Sequence, residues 1–286
     1  YLASVTFRAD GSSRFGANKR FGYFPSASFA WIASYEDFWN YDAITFLKVR
    51  TSWGQNGNDR ISNYGFTSIV NNGQNYTFGA GEMITNGAIA LSPGNEDLQW
   101  ETSTQTNLGV DVEFLDGKVA FTGDYYIKNT SDMLYAAPIP LHVGAAFPPT
   151  QNIGEVRNNG VELALNHRNI VGGLKYEIGG NIAFVNTEVL YLGEGGEPIS
   201  TGRVQSSNAN VSRTEVGQPI AGFYGYVTDG IFQNTEEVAA HAFQSEQTQP
   251  GDIRFKDLNG DGEITEEDQT YIGNPTPDFT YGGNIR

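Results

Sequence analysis

The 286-residue sequence has no cysteine, which excludes a disulfide scaffold, a thiolate metal site and a cysteine nucleophile. Its three histidines, His142, His167 and His241, lie far apart without metal-ligand spacing, and each is expected at the surface. Basic residues are few: 17 Lys and Arg against 33 Asp and Glu give a net charge of −16. That balance argues against nucleic acid or an anionic membrane surface as a non-specific partner, since both are polyanions that need basic patches. No stretch approaches the roughly 20 consecutive apolar residues of a membrane-spanning helix, and no basic, apolar leader opens the chain. Walker loops and nucleophile elbows are missing, and no two carboxylates stand out as a glycosidase pair. The stretch 193–196 (Gly-Glu-Gly-Gly) lacks dinucleotide spacing and reads as loop.

What the chain does have is glycine and aromatic residues: 35 Gly, 18 Phe, 15 Tyr and 4 Trp, with only 17% charged residues against about 25% in soluble domains. This is a β-rich composition, and it excludes disorder, collagen and coiled coil. Period-two alternation dominates. From Trp100 one face reads Trp100, Thr102, Thr104, Thr106, Leu108, Val110, Val112, Phe114, and the other reads Glu101, Ser103, Gln105, Asn107, Gly109, Asp111, Glu113. Similar runs cover 2–9, 24–33, 45–53, 118–128, 159–168 and 174–185, and an eighth opens at Phe279. Several exceed the usual 5 to 6 residues of a soluble strand and match the roughly 9 to 11 needed to cross a bilayer at a tilt.

The connections alternate in length. Leu115-Asp116-Gly117 and Asn169 to Gly173 are tight turns, and the aromatic connection 34–44 belongs to the same series. The others, about 10–23, 54–99, 129–158 and 186–278, are long and rich in Gly, Asn, Ser and Pro. Short turns on one side and long loops on the other predict an all-β fold: about eight strands of a large antiparallel transmembrane barrel with long external loops. Trp31, Trp39, Trp53, Trp100, Tyr125 and Tyr126 near run ends suit interfacial girdles. Both ends cut through a strand pattern, so residues 1–286 are expected to be one barrel domain incomplete at both ends.

One local motif is sharp. Residues 257–268 match the calcium-loop pattern D-x-[DN]-x-[DN]-G, with Asp257, Asn259 and Asp261 as side-chain ligands, Glu263 as a backbone carbonyl, Thr265 as a side chain or water site, and Asp268 closing position 12. Ca²⁺ takes six to eight oxygens at such alternating positions, and Gly262 permits the turn. Asp268 is shorter than the usual bidentate Glu, and no amphipathic helices flank the loop, so the expected role is a structural Ca²⁺ bracing a long loop. Tyr64, Tyr76, Phe78, Phe147 and Tyr224 are loop aromatics able to stack on a ligand, although loop self-packing accounts for each. Arg8, Arg14, Lys19 and Arg20 form the one basic cluster, read as a local salt-bridge patch or lipid-headgroup contact.

Several blocks resemble the SusC/RagA family of TonB-dependent outer-membrane transporters. They are 8–16 (RADGSSRFG), 24–28 (FPSAS), 47–58 (LKVRTSWGQNGN), 98–102 (LQWET) with 106–109 (TNLG), 152–162 (NIGEVRNNGVE), 223–232 (FYGYVTDGIF), 250–262 (PGDIRFKDLNGDG) and 272–275 (IGNP). They follow family order across nearly the whole chain. The resemblance implies a 22-stranded barrel with an N-terminal plug, coupling to the TonB complex, a SusD-like surface lipoprotein as lid, and import of oligosaccharides or peptides with no bond chemistry. The plug, TonB box, early strands and final strands of that pattern are not in this sequence. Two other classes compete: a soluble secreted calcium-containing β-rich adhesin or carbohydrate-binding protein, which would hide its apolar faces between two sheets, and a secreted glycoside hydrolase, which would need two convergent carboxylates.

Overall fold

The computed structural model describes residues 1–79, 81–136, 147–193, 195–203 and 210–286. His142 and Glu194 lie outside the described residues. Eight long strands form one antiparallel sheet in sequence order: β1 (Leu2–Gly11), β2 (Phe21–Ile32), β3 (Ile44–Asn58), β4 (Glu101–Phe114), β5 (Val119–Ser131), β6 (Glu155–Val171), β7 (Leu174–Tyr191) and β8 (Phe279–Ile285). The sheet is open, with β1 and β8 at its edges. The expected eight strands are all present, and most reach further towards the long loops than the alternation indicates. β3 continues through Gln55 to Asn58, and β7 through Asn186 to Tyr191. At Gln55 to Asn58 both faces are polar, so hydrophobic alternation fades while the backbone ladder goes on, and on β7 Asn186 to Glu188 interrupt it before Val189, fully buried opposite Val156.

Because side chains alternate across a strand, the registers sort every residue onto one of two faces. A single cross-strand row runs Ala3, Phe29, Thr51, Leu108, Tyr125, Val161, Phe184, Phe279, and it is apolar from edge to edge except at Thr51. Thr51 donates its hydroxyl to the carbonyl of Asn107 at 3.0 Å and so leaves no unpaired donor on this face. A parallel row reads Trp31, Val49, Val110, Gly123, Leu163, Ile182, Tyr281. These side chains are open, with Leu108 at 56% and Phe279 at 51% exposure, and no second sheet covers them among the described residues.

The apolar band slides along the ladder. On β2 it continues loop-ward through Tyr23 to Phe21, eight residues beyond Phe29, whereas on β7 it stops at Phe184, in Phe29's own row, and gives way to Asn186 and Glu188. Eight residues at about 3.4 Å are about 27 Å, gained over five strand steps of about 4.8 Å each. A band sloping this steeply against the strands is what a flat apolar slab imposes on strands that cross it at a tilt, as barrel strands do.

Tight turns join the strands on one side. β6 and β7 meet through Gly172 and Gly173 alone, both at positive φ (57° and 91°), as a two-residue hairpin with both central residues left-handed requires. The connection 33–43 is packed with aromatic rings: Trp39 stacks edge-on to Tyr41 at 5.1 Å and donates Nε1–H to the Ile44 carbonyl, and Trp31 donates to Glu36. Trp31, Trp53 and Tyr125 stand on the apolar face, as girdle residues should. Tyr126 does not: it lies on the opposite face with its phenol over Gly160. Trp100 sits in a loop-side core against Phe15 and Phe24, at 5.3 and 5.6 Å between ring centroids.

The long connections are not structureless. The first shrinks to residues 12–20, and the second carries two stacked hairpins, Ile69–Asn72 with Ala88–Ser92 and Tyr76–Phe78 with Met83–Thr85. Leu134–Ala136 pairs with Thr150–Asn152 in the third. Residues 197–278, expected as one long loop from 186, form a separate compact unit. Its sheet has strands Ile199–Arg203, Asn210–Thr214, Gly222–Tyr226 and Gln269–Gly273. Tyr224 is therefore a strand residue, held between Tyr271 at 5.3 Å and the Arg213 guanidinium at 4.7 Å. Burial, with Glu215 beside it, pushes the Tyr271 hydroxyl up to about 12.

Candidate functional site

The second face of the eight-stranded sheet is the polar one. It carries Ser4, Thr6 and Arg8 on β1, Ser26 and Ser28 on β2, Lys48, Arg50, Ser52 and Asn56 on β3, and Gln105, Asn107, Asp111 and Glu113 on β4. Amides and hydroxyls bond across and along the strands: Asn107 on β4 donates to Ser52 on β3 at 3.0 Å, and Gln105 donates to Asn107 along β4 at 2.9 Å. Towards the turns, charge takes over. Arg50 donates to Asp124 at 2.6 Å and to Asp111 at 3.2 Å, and Lys48 reaches Asp111 at 3.3 Å. Two cations and two carboxylates thus neutralise one another on a partly buried wall, where an unpaired charge would be costly.

At the loop side the sequence blocks that carry the family resemblance converge. Ser12, buried, donates to the Asp59 carboxylate at 2.8 Å, and Arg14 donates to the Asp59 carbonyl at 3.0 Å. Asn152 bridges two loops: its amide donates to the carbonyls of Gln99 and Asp132, and its oxygen accepts from Gln99 N–H at 3.0 Å. Phe15 and Leu98 are fully buried beneath this rim, with Phe24 and Trp100 beside them. Of the basic cluster, Arg8 pairs with Asp10 and lies over the Phe24 ring, Arg14 is spent on Asp59, and Lys19 donates to Gln99 at 3.0 Å. The local salt-bridge reading thus holds for Arg8 and Arg14, whereas Lys19 bonds a neutral amide oxygen.

In the compact unit, the acidic loop is closed by its own backbone. Asp257 accepts from the N–H groups of Gly260 and Gly262, Asn259 from Asp261, and Asp261 from Glu263. Glycines 260 and 262 hold positive φ, and Phe243 clips the loop by donating its N–H to the Gly262 carbonyl and accepting from Ile264 N–H, both at 2.8 Å. Asp268 is fully buried and accepts from Leu258, Asn259 and Thr265. Backbone N–H donors, Thr265 first and Leu258 next, hold its carboxyl below the usual carboxylate range. Among the described residues no three His, Asp or Glu side chains converge as a preassembled metal set. The donor types nonetheless fit Ca²⁺. A carboxylate has about four lone-pair sites, so Asp257, Asp261 and Asp268 each retain a free one beyond their N–H bonds. His167 lies on the apolar face near Tyr176, and His241 packs on Phe232.

Sequence reasoning found the polar face and the acidic loop, but it missed Asn152 and Asp59 as the pins of the rim. The signal was in the resembling blocks, since Asn152 opens one of them and Asp59 directly follows another.

Comparison with known proteins bears on the same wall. The family described as TonB dependent receptor-like, beta-barrel matches residues 1–281. TonB-dependent receptor P3 of Formosa agariphila is 34% identical over 99% of this chain, and TonB-dependent receptor SusC of Bacteroides thetaiotaomicron is 31% identical over 99%. The chain spans 28% of the length of each of these relatives. The RagAB peptide importer in its closed-closed state superposes with a TM-score of 0.77 at 23% identity, over 99% of this chain and 29% of that one, a likeness of fold.

Proposed function

The chain belongs to the TonB dependent receptor-like β-barrel family, and from that premise we propose that it supplies wall strands, rim loops and the compact unit inserted between β7 and β8 to an active outer-membrane importer of oligosaccharides or peptides. The family is one of outer-membrane receptors and transporters of Gram-negative bacteria. In this reading a SusD-like surface lipoprotein closes over the barrel, and the TonB complex supplies the energy. The observation that carries it is the two-sided sheet. A row from Ala3 to Phe279, apolar but for the self-satisfied Thr51, faces lipid, and the Ser, Asn and Gln ladder with its neutralised charge cluster faces a water-filled lumen. A soluble adhesin would bury that apolar row under a second sheet. The lumen side offers hydroxyl and amide partners to a hydrated cargo, which suits a glycan or a peptide backbone better than a greasy ligand.

We further propose that the loop 257–268 binds a structural Ca²⁺ through Asp257, Asn259, Asp261, the Glu263 carbonyl and Asp268, bracing the compact unit. When bound, the ion supplies cross-linking charge and no chemistry. The import reading is tested by following labelled oligosaccharide and peptide libraries into cells that carry or lack the gene. Uptake should disappear with the gene and with a protonophore. Uptake unchanged by both would refute it.

A further inference from the structure

On the apolar face the band ends unevenly at the loop side. β2 still presents Tyr23 and Phe21 there, both exposed, while β3 and β4 have already turned polar with Gln55, Thr104 and Thr102. The registers keep these residues on one face, since Gln55 pairs with Thr104, Gly57 with Thr102 and Thr102 with Ser131, in alternation with Thr51, Leu108 and Tyr125. The β2–β3 ladder stops at Ser26 and Gly54, next to Pro25, which has no N–H to give, although β2 runs on to Phe21 and β3 to Asn58. The strands part, and the rings of Phe24 and Trp100 fill the gap against Gly22 and Gly57, where a Cβ would collide with the Phe24 ring. Beside them opens a notch of 440 Å³ lined by Tyr23, Gln55, Gln99, Trp100, Thr102 and Thr104. None of its residues comes from the edge strands β1 and β8. Its polar groups are largely unspent: the Thr102 hydroxyl and the Asp132 carboxylate have no partner among the described residues, and Gln55 donates to Thr104 while its own oxygen stays free. Lys19 reaches into the same notch and bonds only the neutral Gln99 oxygen, and the Arg20 carbonyl accepts from Trp100 Nε1–H at 3.2 Å. Neither cation has a carboxylate oxygen within 4.0 Å among the described residues.

We propose that this notch holds the sugar headgroup of a phosphorylated glycolipid of the outer leaflet, with the acyl chains laid along Tyr23, Phe7 and Trp53. The inference rests on the reading that the apolar face meets lipid. Three features select this ligand. The notch is continuous with the apolar band, where Phe7 stacks on Tyr23 at 6.1 Å and Trp53 is exposed, so its occupant is amphipathic. Its lining sets aromatic surface beside amide, hydroxyl and carboxylate oxygens, which match the C–H faces and the hydroxyl rim of a sugar; a glycerophospholipid headgroup leaves most of those groups unmet. Lys19 and Arg20 offer uncompensated positive charge to a phosphate, in a chain whose net charge of −16 gives an anionic lipid no other reason to settle.

The test is photo-crosslinking of the full-length receptor in native outer membranes, with p-benzoyl-phenylalanine placed at Thr102 in the notch, at Leu108 in the band, or at Ser52 on the polar face. Mass spectrometry identifies the adducts. The expected result is a glycolipid adduct at Thr102, lipid of any kind at Leu108, and no lipid at Ser52. A glycerophospholipid, a protein or nothing at Thr102, with lipid captured at Leu108, would overturn the proposal. No lipid at Leu108, or as much at Ser52, would instead mark the lipid-facing reading as the fault and take the proposal with it. A second measurement counts, by native mass spectrometry, the lipopolysaccharide from the same membranes that the purified receptor retains. Thr102→Val/Lys19→Gln preserves the strand's shape and a donor for Gln99, and it should weaken retention about tenfold. Retention equal to that of the unsubstituted receptor would also overturn the proposal.

Discussion

The Arg50 guanidinium meets the Asp124 carboxylate at 2.6 Å although a whole strand, β4, runs between them. The register explains it: Arg50 is paired with Gly109, and Gly109 with Asp124, so the side chain passes over the one position that has no Cβ. A Cβ there would lie 2.5 Å from an Asp124 oxygen and 2.6 Å from the Arg50 guanidinium carbon. Gly109→Ala should therefore push the two apart and cost about 1–3 kcal/mol, the range for an overpacked site. Denaturant unfolding in detergent would measure it. In a double-mutant cycle with Asp124→Asn the losses should fall short of additive, since both changes break the same pair.

The sliding apolar band makes a positional prediction. Leu163 lies inside it on β6, and Asn186 lies just beyond its loop-side limit on β7. Leu163→Arg should cost about 2–4 kcal/mol in folding into lipid vesicles and Asn186→Arg about 0–1 kcal/mol. Equal costs would mean that the band has been drawn at the wrong level.

The Asp268 carboxyl supplies a pH dependence whose sign is fixed. Its folded value is lowered by backbone N–H donors, whereas in an unfolded chain an Asp titrates near about 3.9. Its contribution is thus fully present above that value and lost as pH falls through the lowered folded value. Protection of the Leu258 and Thr265 amides, exchange corrected for its intrinsic pH dependence, should hold down to the ordinary Asp value of about 3.9 and fall away below it. Asp268→Asn should abolish the acid step, and a step already complete near neutral pH would contradict the assignment.

Calcium should bind the same loop with a Kd of about 10⁻⁶ to 10⁻³ M, between sensor and extracellular modules. Titration calorimetry of the wild type against Asp257→Ala/Asp261→Ala is the check. Heat in the first and none in the second is expected. Identical titrations would retire the site.

The wall was legible in the sequence because one medium touches each face for its whole length: lipid contact keeps Leu108, Val110 and Val112 apolar while Asn107, Asp111 and Glu113 stay polar. Where polar residues occupy both faces, as at Gln55 to Asn58 and Asn186 to Glu188, the alternation carries no sign and the strands run further than it indicates. The unit at 197–278 was missed for a related reason. Its strands are five residues or fewer, and their apolar partners, such as Tyr224 and Tyr271, are separated by 47 positions along the chain. The acidic loop was visible because its ligand spacing is local. The rim pins Asn152 and Asp59 were not, since Asn152 reaches back to Gln99 and Asp59 to Ser12, residues far away along the chain.

The central claim is that one face of this sheet meets lipid and the other water, and the absence of cysteine from these 286 residues allows a direct test. Single cysteines placed from Val161 to Asn166 on β6 are treated in outer membranes with a water-soluble maleimide. The two-sided wall predicts a period of two, with positions 162, 164 and 166 labelled and 161, 163 and 165 protected. Uniform labelling along the strand, or protection at every position, would contradict it.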